Sequence, residues 1–101
     1  MPESYRPADG FRLLLVLEGE APARAIYQAT VYTPANEFAY RATISLPEGQ
    51  VELTPRGAPA EEGPQAALQA QLRTIARGKI KDLDQPWPRR ILRWRPNPRT
   101  G

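Results

Sequence analysis

Four arginines and two tryptophans crowd the eleven residues Pro86–Pro96, PWPRRILRWRP. A guanidinium is a planar fork that grips phosphate or carboxylate oxygens through two parallel hydrogen bonds, and an indole ring stacks on a nucleobase. In an extended chain Arg89, Arg93 and Arg95 share one side, with alternate residues roughly 6.6–6.8 Å apart. Such a row can follow a phosphate backbone while Trp87 or Trp94 stacks on a base. Arg73 and Arg77, on the outer side of a helix just upstream, extend the basic surface. Nucleic acid, or an acidic protein surface, is therefore the expected partner of this end. The same spacing also describes a last strand with Leu92 and Trp94 packed on the domain and its arginines solvated, their stems covering apolar surface.

Other chemistry is scarce. The chain has no cysteine and no histidine, which excludes disulfides, thiolate nucleophiles, Cys/His zinc sites and imidazole acid–base catalysis. Ser4 and Ser45 have no histidine to activate them. Glu18 and Glu52 are the only strand-borne acids that suggest an acid–base pair, and solvated strand ends explain them as well. Asp82 and Asp84 are two acids without the glycine-bearing loop of a calcium site. No glycine-rich phosphate loop occurs. The expectation is a protein with no catalytic, cofactor-binding or metal-binding residue, no small-molecule substrate, and no enzymatic activity.

The 101 residues suit one domain, and 41% apolar with 25% charged residues suits a packed core. The net charge of +3 hides a gradient. Met1–Gln71 carries five arginines against nine acids, net −4, and Leu72–Gly101 carries nine Lys/Arg against two acids, net +7. Asymmetry of this kind points to an acidic partner for the basic end. That partner can be the acid-rich body of a second copy. Twelve of the fourteen cations are arginine, a bias that forked oxyanion contacts and a GC-rich genome explain equally. The N-terminus lacks the basic-then-apolar order of a secretory signal, and the longest apolar run, Leu13–Leu17, is far too short to span a bilayer. With no cysteine, the expected location is the cytoplasm and no membrane partner is expected.

The elements that would position these residues follow from periodicity. Phe11–Glu18, Arg24–Thr33, Phe38–Leu46 and Gln50–Thr54 read as strands, separated by the turns GEAP, PANE and PEGQ. The third alternates cleanly, with Phe38, Tyr40, Ala42, Ile44 and Leu46 on one face. Leu68, Leu72, Ile75 and Ala76 then recur at helical spacing, with Pro64 at the start and Gly78 as the expected stop. The predicted architecture is α+β: a four-stranded antiparallel meander, one amphipathic helix on one face, and an extended or short-strand C-terminal tail. Residues 10–95 form the single domain, with the sheet over 11–54, a linker over 55–63, the helix over 64–78 and the extended segment over 79–95. Residues 1–9 and 96–101 are expected to be flexible ends. In its order of elements this meander and helix resemble one repeat of the Whirly and Pur-type single-strand binders, without any motif of theirs.

One feature resists so simple a sheet. In the first strand Phe11, Leu13, Leu15 and Leu17 fill one face while Leu14 and Val16 lie on the other, and the second strand is also apolar on both sides. Strands apolar on both faces are usually covered on both, yet only one helix is predicted. The candidates for the second cover are the C-terminal segment, a partner protein, or a second copy in a homodimer, with Leu14, Val16 and Tyr27 as the expected interface residues.

Overall fold

The structure, a computed structural model, describes residues 7–58 and 62–95. It is an α+β fold. Strands β1 (Phe11–Ala21), β2 (Arg24–Tyr32), β3 (Glu37–Ser45) and β4 (Gln50–Pro55) precede helix α1 (Glu62–Lys81), and strand β5 (Arg90–Arg95) follows it. All pairings are antiparallel, in the order β4-β3-β2-β1-β5. The antiparallel sheet and its one helix are as predicted, but the sheet has five strands rather than four, because the C-terminal tail pairs beside β1. Of the predicted ends 1–9 and 96–101, residues 1–6 and 96–101 lie outside the described residues, as do linker residues 59–61; residues 7–9 are described, with Pro7 buried. No described helix is long and apolar enough to cross a membrane.

Alternation decides which side is buried. Leu13 and Leu15 of β1, Ala25, Tyr27, Ala29 and Val31 of β2, and Tyr40, Ala42 and Ile44 of β3 all point under α1 and are fully shielded. Leu68, Leu72, Ile75 and Ala76 close this layer from the helix side, and each such leucine contributes about 1.5–3 kcal/mol through burial. The helix lies across β4, β3 and β2. Two polar contacts fix its rotation: Tyr40 donates to Gln65 Oε1 at 2.9 Å and Arg95 donates to Gln71 Oε1 at 3.1 Å.

The turns carry their own constraints. Thr33 N–H donates to the Asn36 carbonyl at 2.8 Å while Asn36 N–H donates to Thr33 Oγ1 at 2.9 Å, which closes the β2–β3 connection. Gly49, at φ +75°, lies in the β3–β4 turn against the end of α1, where an added Cβ would approach Ile80 Cδ1 to 3.2 Å. In β1 an extra residue, Glu18, sits between the paired Leu17 and Gly19, a bulge that sharpens the local twist.

Gly78 does not end the helix. It has no positive φ, and α1 runs on to Lys81. The stop is an aspartate turn instead: Asp84 N–H donates to Asp82 Oδ1 at 3.1 Å and Gln85 N–H to the Asp82 carbonyl at 3.1 Å, just ahead of Pro86. A glycine held in helical conformation costs stability relative to alanine. Gly78→Ala meets nothing within 4 Å, so it is expected to raise stability by about 0.5–1 kcal/mol, read as a higher thermal midpoint.

After the turn the chain folds back under the helix end. Trp87 is 3% exposed, its indole Nε1–H donates to the Ala21 carbonyl at 3.4 Å, and the Lys79 ammonium lies 5.3 Å from its ring centre. Lys79 also donates to the Gln85 carbonyl. Tyr27 donates to the Pro88 carbonyl at 2.7 Å, and Leu17 N–H donates to the Arg89 carbonyl at 2.8 Å. These contacts deliver Arg90 to the edge of β1.

Candidate docking face

The pairing of β1 with β5 decides what the second sheet face carries. Arg12 opposes Trp94, Leu14 opposes Leu92, and Val16 opposes Arg90. Directly opposed residues in a pleated pair share a face. Leu14, Val16, Leu92 and Trp94 thus form one apolar block, with Arg12 and Arg90 at two corners. The β5 tail widens this face rather than covering it. Val16 and Trp94 are 39% and 47% exposed, and no second layer lies over the block among the described residues.

The rest of the face is mixed. Register places Arg24, Ile26, Gln28, Thr30 and Tyr32 of β2 on it, then Glu37, Ala39, Arg41, Thr43 and Ser45 of β3, and Gln50, Glu52 and Thr54 of β4. The bulge brings Glu18 onto this side, where its carboxylate is 3.8 Å from the Arg41 guanidinium. Both side chains are well exposed, so the pair contributes less than about 1 kcal/mol. Glu18 and Glu52, the acids singled out in the sequence, stand on the same face in β1 and β4, with β2 and β3 between them, so they form no acid–base pair.

Trp94 is held in place on this face. Its Nε1–H donates to the Asp9 carbonyl at 3.0 Å. Gly10, at φ +69°, lies beneath the indole: an added Cβ would come within 3.1 Å of the ring and collide with the Arg95 carbonyl. Only glycine fits there.

The sequence-predicted sites come out divided. Arg93 and Arg95 do share one side of β5 with Ile91, but Ile91 packs against the core and Leu92 and Trp94 face outward. The predicted in-and-out assignment of the tail is reversed, because the register with β1 sets Ile91 beside Leu15 and Leu92 beside Leu14. Arg95 is committed to Gln71 and Arg93 Nη1 donates to the Leu92 carbonyl at 3.1 Å. Arg73, Arg77 and Arg89 are exposed, with Arg77 3.3 Å from Thr74 Oγ1. Trp87 cannot stack on a ligand, since it is core. Tyr27 cannot line the open face either, since it is fully shielded under α1. Burial pushes its phenol pKa up to about 12, with the Glu20 charge adding to the effect. Of the predicted interface, Leu14 and Val16 remain. Trp94, Leu92 and Arg12 join them, which pairing register alone reveals.

A second apolar feature lies at the end of the domain, an open pocket of ≈ 380 Å³ lined by Pro22, Ala23, Leu46, Pro47, Ile80 and Leu83. Its lining carries no polar side chain to orient a ligand, whereas recognition sites combine apolar walls with placed polar groups. The sheet face has both. No family model matches the chain, and neither a curated protein nor a solved structure is detectably similar to it.

Proposed function

We propose that the chain is a small non-catalytic interaction module that works by laying its open sheet face on a protein surface. The observation that carries this reading is the block of Leu14, Val16, Leu92 and Trp94, with two large apolar side chains more than a third exposed. Contiguous apolar surface rimmed by charge marks interaction sites. The sheet edges argue for a face rather than an edge as the working surface: β5 carries Arg90, Arg93 and Arg95, and β4 is short and ends in Pro55. Charge and proline on an edge strand discourage strand addition. A chain without cysteine suits the reducing cytoplasm.

The polyanion reading ranks second. Arg73, Arg77 and Arg89 stay available to it, but Trp87 and Arg95 have tasks inside the chain.

Site-specific photo-crosslinking in the producing cell tests the choice. A benzophenone side chain at Leu92 is expected to give protein adducts at least several-fold above one at Arg73 on the outer side of α1. Equal yields, or none, would remove the docking reading. In parallel, oligonucleotides at physiological salt are expected to bind no more tightly than the non-specific level of about 10⁻⁴–10⁻⁶ M. Tighter, salt-weakened binding lost on Arg73→Ala/Arg77→Ala/Arg89→Ala would move the function to polyanion contact.

A further inference from the structure

We infer that the occupant of this face is a second copy of the chain, packed face to face about a two-fold axis that crosses the strands between Leu14 and Val16. The inference rests on the docking reading above and names its partner. It comes from the order of residues along β1. On the open face that strand presents Arg12, Leu14, Val16 and Glu18. Laid against an antiparallel copy of itself, this row matches throughout: Arg12 meets Glu18 of the second copy, Leu14 meets Val16, and the reverse pairs repeat the match. An isologous interface requires this property, because a single surface patch must complement itself.

The neighbouring strand obeys the same axis. Tyr32 stands in the cross-strand row of Arg12, and Ile26 in the row of the bulge beside Glu18. The two-fold that sets Arg12 on Glu18 therefore sets Tyr32 on Ile26 of the second copy and Thr30 on Gln28. At that end of the face lies a depression of ≈ 260 Å³ lined by Gly19, Glu20, Ala21, Arg24 and Ile26, where β5 no longer flanks β1. An aromatic ring from the opposing copy has a seat there. One operation thus matches apolar with apolar and cation with acid on β1, and apolar with aromatic and polar with polar on β2, while on β5 it lays the Arg90 stem of the second copy over Leu92.

The area suits a weak, concentration-dependent dimer. Five strands at about 4.8 Å and five alternate rows at roughly 6.8 Å make a face of roughly 500 Å² in plan, and more with side-chain relief. Each partner in a standard interface contributes about 800 Å². Packed sheets of this kind sit about 10 Å apart with their inner side chains interdigitated.

Light scattering and sedimentation on the full chain test the inference. At a few hundred micromolar the wild type is expected at twice its 11.3 kDa mass, dissociating on dilution. Leu14→Glu should leave single copies. Arg12→Glu and Glu18→Arg should each weaken association at least tenfold, by opposing like charges across the axis. The double variant Arg12→Glu/Glu18→Arg should associate at least severalfold more tightly than Glu18→Arg alone, because each copy then supplies both halves of a reversed pair while both variants carry the same repulsion from Arg41 of their own chain. Thermal unfolding of every variant shows whether the fold survives, and the charge variants lie on exposed surface should Leu14→Glu not fold. A wild type that stays single at this concentration overturns the inference. So does a dimer in which the double variant is as weak as Glu18→Arg alone. If the purified chain is single while Leu92 crosslinks to a different protein, the second copy is wrong and the docking reading stands. If it is single and Leu92 gives no adducts, both fall.

Discussion

Replacing Trp87 with alanine is expected to destabilise the protein by about 3–5 kcal/mol, the usual result of emptying a buried aromatic site. A single domain of this size has about 5–15 kcal/mol in total, so the variant would lose a large fraction of its stability. The indole closes the end of the core nearest the β1–β2 turn, anchored to the Ala21 carbonyl and covered by Lys79. Removing it also loosens residues 82–89, whose Pro88 and Arg89 carbonyls accept from Tyr27 and Leu17. The β1–β5 pairing follows directly from that anchor. Trp94→Ala provides the contrast: with its ring half exposed, it should cost at most about 1 kcal/mol as a surface substitution. Urea unfolding of the two variants checks this. A small loss at Trp87 with a large one at Trp94 would reverse the roles given to the two tryptophans.

That contrast marks where the sequence stops being readable. Both tryptophans sit in one arginine-rich stretch between prolines, and composition treats them alike. What separates them is register: β5 pairs Trp94 with Arg12 on the open side, while Trp87 precedes the strand and turns under the helix. Register is a long-range property set by partner strands, and an isolated hexapeptide such as RILRWR does not encode it. The meander was legible because each strand carries its own period and each turn its own breaker. Phe38–Leu46 shows this best, with Tyr40, Ala42 and Ile44 buried and Phe38 and Leu46 partly buried at the two ends of the same face. The helix was legible from Leu68, Leu72, Ile75 and Ala76, but not its end. Gly78 ends a helix only where a left-handed residue is needed, and here the Asp82 turn does that work. The double-sided character of β1 proved the most informative signal. Leu14 and Val16 do lie opposite the helix, and the tail adds Leu92 and Trp94 to them. Tyr27 shares its side of β2 with Ala25, Ala29 and Val31, the uniformly apolar side, and that side belongs under the helix rather than on the open face. Pairing with Leu17 and Ala42 places it there.

Alkaline unfolding provides the second large effect, and Tyr27 is its source. Its phenol is fully shielded, donates to the Pro88 carbonyl at 2.7 Å, and has its pKa raised from 10.0 to about 12 by burial and then by the Glu20 charge. The folded state thus holds the proton more tightly than the unfolded chain. Below pH 10 both states are neutral at this group, and its full contribution to stability is present. Between pH 10 and 12 the unfolded chain ionises first, so stability falls as pH rises. Two units correspond to about 3 kcal/mol, most of it lost by pH 12. Tyr27→Phe separates this loss from the titration of other groups, which is common to both proteins. At neutral pH the phenylalanine variant should be about 0.5–1.5 kcal/mol less stable than wild type, because the part-buried hydrogen bond to the Pro88 carbonyl is lost. Above pH 10 its stability should fall less steeply, and by pH 12 the two curves should meet or cross. Urea titrations at pH 8, 10, 11 and 12 measure that difference. Parallel curves would mean that the phenol reaches water in the folded state, and that residues 82–89 do not seal this end of the core.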